Sequence, residues 1–248
     1  MSLSKNVVFV HIPKAGGTSV RNFIKAQVAK EDIFPEVSLH HFPRYENLDV
    51  SRPMLFMSHL GFDFVRAAQG DALVLMRHPI ERVLSLYSYA IHPGKNVPII
   101  DPKLVSGMTF EEFFTTSNKS VRMNVENAQV WQIASGYSFR HRELRIANGV
   151  TMERLIVQAK GNLDRSVVVG TLEEMPNFYR AIAHYFGNEN SKFPQHISNV
   201  SEKRIHWSDL SKEQKSLVET CVADEWPVYD HARALAAAAA TSSAFYAS

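Results

Sequence analysis

The chain has 248 residues, 45% of them hydrophobic, and a formal net charge of +2. That is enough apolar chain for a full core and fits a single α/β domain, and near-neutrality without a polybasic run excludes nucleic acid as the main partner while still suiting an anionic ligand. One cysteine, Cys221, excludes an internal disulfide, and no basic region leading into a long apolar stretch opens the chain, so neither signal peptide nor membrane anchor is expected and the protein is read as cytoplasmic.

The first element is an apolar strand over residues 7–10, followed by His11-Ile12-Pro13-Lys14-Ala15-Gly16-Gly17-Thr18-Ser19 and a helix over 18–30, on which Val20, Phe23, Ile24 and Val28 recur at helical spacing. The glycine pair permits a sharp turn. The backbone N–H groups of Gly16, Gly17, Thr18 and Ser19 then converge at the positive end of the helix, with Ala15 in the turn and the Lys14 ammonium beside it. This is a cradle for phosphate or sulfate, although the order departs from the nucleotide-triphosphate loop G-x-x-x-x-G-K-[ST], in which the lysine follows the last glycine.

A second strand over 54–57 leads into Ser58-His59-Leu60-Gly61-Phe62, and a third over 72–76 into Arg77-His78-Pro79 and a helix over 81–91. Arg77 falls at the strand end, and Ser85 lies two turns on, so a guanidinium fork and a hydroxyl are available together to hold a terminal phosphate. Pairing of Arg77 or Arg82 with Glu81 on a surface helix is the competing reading. Residues 92–124 are expected as an insertion over the crevice, with a capping box at Thr109 and Glu112 opening a short helix that carries Phe113 and Phe114. Residues 127–134 are helical. Tyr137, Phe139, Arg140, His141, Arg142 and Arg145 form a basic aromatic stretch, either an acceptor surface or a solvated face. A fourth strand covers 167–169. Ser211 and Gln214 cap a late helix in which Cys221, among Leu217, Val218 and Val222, reads as a buried thiol. The domain is drawn over 1–233, with the alanine-rich 234–248 as a fraying helix or disordered tail.

Short buried strands alternating with helices predict a doubly wound, three-layer α/β fold with a central, mostly parallel sheet, in which Lys14, His59 and Arg77 each follow a strand and converge on one crevice. His40 and His41 lack a third ligand at a recognisable spacing, and no metal is called for.

K-x-G-G-T-S after the first strand, with R-x-P-x-x-R-x-x-S after a later one, resembles the two cofactor signatures of sulfotransferases, P-loop-like enzymes that use 3′-phosphoadenosine 5′-phosphosulfate (PAPS) and release 3′-phosphoadenosine 5′-phosphate (PAP). H-I-P-K-A-G-G-T-S is most similar to the branch holding heparan sulfate 2-O-sulfotransferases and Golgi carbohydrate sulfotransferases. Ser58 to Phe62 resembles that family's catalytic histidine segment, Asn127-Ala128-Gln129 its N-x-Q helix start, Val168 to Glu174 its late strand and acidic turn, and His196 to Arg204 loosely its cofactor-covering segment. The resemblance implies that Lys14, Ala15, Gly16, Gly17, Thr18 and Ser19 hold the 5′-phosphosulfate and Arg77 and Ser85 the 3′-phosphate. It further implies His59 as base, Lys14 at the leaving oxygen, and a carbohydrate or glycolipid hydroxyl as acceptor. The rival readings are an ATP-dependent small-molecule kinase, disfavoured by the lysine order, and a non-catalytic nucleotide-binding module, disfavoured by the presence of both Lys14 and His59.

Overall fold

The computed structural model describes residues 3–35, 52–92, 99–136, 139–194 and 204–244. Four parallel strands, β1 (Val7–Val10), β2 (Leu55–Ser58), β3 (Asp71–Met76) and β4 (Val168–Thr171), lie in the order β2-β1-β3-β4. Val7 is in register with Leu55 on one side and Asp71 on the other, and Leu73 with Val168. Because side chains alternate along a strand, both faces of so apolar a run must be covered. Val8 and Val10 pack with Phe56, Phe64 and Trp131 on one face, while Val7 and Phe9 pack with Phe23, Leu75 and Phe178 on the other. This is the expected three-layer arrangement.

Helix α1 (Gly17–Lys25) follows β1, α2 (Phe62–Ala67) follows β2 and α3 (Pro79–Ile91) follows β3. Helix α1 ends five residues before the expected Lys30. The Gln27 amide donates to the Phe23 carbonyl at 3.1 Å, closing the last turn, and Ala29 is already extended.

The expected insertion is a helical unit rather than a loop where it is described. Helices α4 (Pro102–Val105), α5 (Phe110–Thr115) and α6 (Lys119–Val125) turn Phe113, Phe114 and Val121 into a third cluster with Tyr87 of α3 and Val218 of a late helix. The aromatic residues that a substrate loop would present are thus core, and residues 93–98 lie outside the described residues. The capping box is present, with Glu112 N donating to Thr109 Oγ1 at 3.1 Å and Thr109 N to Glu112 Oε2 at 2.7 Å.

Helices α7 (Ala128–Ala134) and α9 (Met152–Asp164) cover the first face and α10 (Met175–Tyr185) the second, while α8 (Phe139–Ala147) packs beside α6. The late helix α11 (Lys212–Val222) buries Cys221, whose thiol lies 3.6 Å from the Phe114 carbonyl and is pushed up in pKa by burial. Helix α12 runs from Trp226 to Ala244, so the boundary drawn at 233 falls inside an element, and Ala234 to Ala240 are helical rather than a disordered tail. No helix among the described residues is long and apolar enough to cross a membrane.

Candidate active site

The site starts where β1 runs out. Lys14 and Gly16 both have left-handed backbones, at φ 67° and 83°, and Ala15 between them is buried with its N–H donating to the Ile12 carbonyl at 3.2 Å; left-handed residues in such turns build anion-binding concavities. Glycine is favoured at position 16 by its left-handed backbone, and at position 17 by packing, since a side chain there would meet the His11 ring at 2.0 Å. Helix α1 has no side-chain cap and no acidic residue in its first turn, which leaves its N–H groups to an external anion. Thr18 is exposed at this end and Ser19 buried.

The cradle and the end of β3 are bolted together. Arg77 Nη1 donates to the Lys14 carbonyl at 2.9 Å, and Gln129 of α7 brackets the Arg77 backbone, accepting from its N–H at 3.1 Å and donating to its carbonyl at 2.9 Å. Arg77 is 8% exposed, with Glu81 at 3.7 Å from Nη2, so the competing pairing with Glu81 is present but weak. Arg204 also reaches Glu81. Its neighbour Ile205 donates through its N–H to Ser88 Oγ at 3.2 Å, laying this segment along the face of α3 that carries Glu81, Ser85 and Ser88. Ser85 is half-buried there. Of the segment 196–204, only Arg204 lies within the described residues.

Positive charge is in excess. The Lys14 ammonium sits over the Tyr89 ring at 3.9 Å, and its pKa is lowered to about 8, first by burial and then by Arg77. Arg77 is lowered to about 10, first by burial and then by Arg204. A dianion placed between these groups relieves both costs. His78 shapes the turn, as its place between Arg77 and Pro79 suggests. Its N–H donates to Glu173 Oε1 at 3.0 Å, its ring meets Trp226 edge-on at 4.9 Å, and burial lowers its pKa.

His59, after β2, faces back to the loop after β1. Its Nδ1 lies 2.8 Å from the His11 carbonyl, and since a carbonyl can only accept, Nδ1 carries a proton, which makes Nε2 the nitrogen with the lone pair in the neutral ring. The same carbonyl accepts from Gln132 Nε2 at 3.0 Å, and that amide also donates to the Leu60 carbonyl at 3.1 Å. The sequence reading missed Gln132, Tyr89, Glu173 and the side chain of His11. The available signal was a polar residue inside an apolar element, such as Gln132 in the wholly buried α7.

Of the basic aromatic stretch, the side chains of Arg142 and Arg145 are described, and those of Tyr137, Phe139, Arg140 and His141 lie outside the described residues. Arg142 is buried, with its guanidinium 5.2 Å from the Trp131 ring centre and Nη1 donating to the Glu126 carbonyl at 3.4 Å. Arg145 reaches Asp63 at 3.5 Å and Gln158 at 3.4 Å. These two arginines brace α8 against its neighbours rather than forming a solvated face. Tyr137 lies outside the described residues, as do His40, His41, Asn199, Ser201 and Lys203. Among the described residues no group of three or more His, Cys, Asp or Glu could hold a metal ion.

A family model described as "Sulfotransferase family" matches residues 1–219. The chain is 25% identical over 211 residues to the heparan sulfate 2-O-sulfotransferase hst-2 of Caenorhabditis elegans, an alignment covering 73% of this chain and 64% of that protein's length. Among solved structures it matches a sulfotransferase from Alicyclobacillus acidocaldarius at 15% identity, with 91% and 94% of the two chains covered and a TM-score of 0.48.

Proposed function

Because the chain belongs to the sulfotransferase family, we propose that it moves a sulfuryl group from PAPS to a carbohydrate hydroxyl at this crevice. The observation that carries the assignment of the site is the joining of two anion-holding elements through Arg77 Nη1 and the Lys14 carbonyl, which sets a cradle for one phosphate group beside a guanidinium for another. PAPS has two such groups, on its 5′ and 3′ oxygens; ATP has no phosphate on its ribose 3′-oxygen.

In this reading the N–H groups of Gly16, Gly17, Thr18 and Ser19 bind the 5′-phosphosulfate, and Arg77, Ser85 and Arg204 the 3′-phosphate. His59 Nε2 takes the proton from the acceptor hydroxyl as the oxygen attacks sulfur in line, and Lys14 meets the charge growing on the departing phosphate oxygen. No metal has a role in these steps. The acceptor class is supported by the relative named for heparan sulfate, of whose length this chain spans 64%.

Calorimetric titration tests the reading. PAP is expected to bind in preference to AMP, ADP and ATP, and equal affinity for PAP and ATP refutes the second phosphate site. His59→Ala is expected to keep PAP affinity and lower turnover of PAPS with desulfated heparan sulfate by about 10²–10⁴-fold, the range for a lost general base. Sulfation of small phenols but of no carbohydrate in a side-by-side screen refutes the acceptor class.

A further inference from the structure

The ring of His11 has no part in the chemistry above, yet it occupies the space between the two halves of the site. It is 7% exposed, stacks on His59 with ring centres 4.2 Å apart and planes 28° apart, and has Phe9 behind it at 5.7 Å. Its edge fills the position that a side chain at Gly17 would take, so it touches the first residue of α1 and the proposed base together. Its backbone carbonyl is the acceptor of the His59 Nδ1 proton.

We infer that the His11 imidazole is a positioning residue: a flat wedge between Gly17 and His59 that holds the His59 ring in the plane where Nδ1 meets the His11 carbonyl and Nε2 is kept as the base. The hydrogen bond alone fixes one atom of the imidazole, and rotation about the His59 side-chain bonds remains possible. The stacked ring removes that freedom, and Gln132, by tying the His11 carbonyl to the Leu60 carbonyl, keeps the two loops from separating. Burial, with the nearby charges of His59 and Arg21, holds the pKa of His11 well below the usual imidazole value, so the wedge is neutral and does not repel a protonated His59. A flat side chain is therefore what the position needs, and its nitrogens are dispensable.

This inference rests on His59 as the base of the proposed reaction, and the two are separable by experiment. Long-range ¹H–¹⁵N spectra of the histidine rings at pH 8, where ordinary imidazoles are neutral, report the tautomer of His59 without any substrate. His59→Ala identifies the resonances. The wild type is expected to show His59 as the single Nδ1–H tautomer, His11→Leu a mixture of both, and His11→Phe, which restores a stacked plane, the single tautomer again. A single tautomer in His11→Leu overturns the inference, as does a mixture in both variants. His11→Met replaces the leucine variant if the latter melts below the assay temperature. Turnover of PAPS with desulfated heparan sulfate is expected to fall about 10–100-fold in His11→Leu with PAP affinity unchanged, the scale of a misplaced reacting group, and to recover in His11→Phe. If His59→Ala instead turns over like the wild type, the base assignment fails while the tautomer result still decides whether His11 orients the ring.

Discussion

Arg77 and Arg82 lie five residues apart, and the molecule treats them in opposite ways. Arg82 is 1% exposed and Glu225, its partner at 3.4 Å, is fully buried; Arg82 Nη1 donates to the Asn124 carbonyl at 3.0 Å, and Gln129 donates to Glu225 through both its backbone N–H, at 3.1 Å, and Nε2, at 2.6 Å. Charge is balanced inside that network, which ties α3, α6 and α7 to the start of α12. Arg77 shares Gln129 with the network, yet its guanidinium goes to a carbonyl, and its surroundings hold Lys14 and Arg204 against Glu81 and Glu173. A buried cation matched by a carboxylate is architecture; one in a group where cations outnumber carboxylates is a place for an anion to arrive.

The largest effect expected from breaking this contrast is on stability. Arg82→Met leaves Glu225 charged and buried with only the Gln129 donors, at a cost of about 3–5 kcal/mol, whereas Arg82→Met combined with Glu225→Gln removes both charges and is expected to recover much of that loss. Denaturant unfolding of the two variants measures the difference, and equal stabilities refute a charge-balanced pair. Arg77→Ala is expected to do the reverse. It costs about 2–5 kcal/mol of PAP affinity, the scale for removing one partner of a buried charge pair, while AMP loses only the smaller share that comes from freeing the Lys14 carbonyl and the unfolding midpoint falls less than in Arg82→Met. Loss of AMP and PAP affinity in equal measure places Arg77 at the cradle alone.

This contrast could not be read from R-H-P-I-E-R, in which either arginine has Glu81 within reach. It depends on Glu225, far along the chain, and on which arginine the α12 turn meets. The strands were legible because four-residue apolar runs between polar turns have little choice but to be buried, and the placement of Lys14, His59 and Arg77 just after β1, β2 and β3 was legible because carboxyl ends of parallel strands converge. Contacts made across loops were not. Phe113 and Phe114 suggest a substrate loop until α11 is known to pack on them, and Arg142 suggests an acceptor surface until Trp131 and the Glu126 carbonyl are seen beneath it. The alanine run 234–240 carries no amphipathic signal to tell a helix from a tail; packing of α12 beside β4 and α10 decides it.

Lys14 sharpens the contrast through pH. Its pKa near 8 in the free protein comes from burial and from Arg77, and a bound phosphosulfate or phosphate raises it. Below pH 8 the ammonium is already present, and PAP affinity is expected to be flat with pH as far as Lys14 governs it. Above pH 8 the free protein has lost a proton that the complex needs, so binding takes one up and affinity falls by at most about tenfold per unit until the pKa of the complex is reached. Calorimetry at pH 9 in two buffers of different ionisation enthalpy reads this uptake directly, and its absence assigns the 5′-phosphate to the N–H groups alone.

Tyr89 carries the smallest and most specific prediction. Its ring lies 3.9 Å beneath the Lys14 ammonium, so part of what keeps Lys14 charged in a buried site is the negative face of that ring, an attraction of about 0.5–2 kcal/mol. Leucine at this position keeps the site equally apolar but removes the face. Tyr89→Leu is therefore expected to leave desolvation in force and lower the Lys14 pKa below about 8, moving the onset of the affinity loss to lower pH by about 0.4–1.5 units. Arg77→Ala is expected to move the same onset upward, because it removes the neighbouring positive charge that depresses Lys14. Opposite displacements of one titration by two substitutions identify Lys14 as the group being read, whereas an onset that ignores Tyr89→Leu makes the ring a packing surface and gives the depression of Lys14 to burial and Arg77 alone.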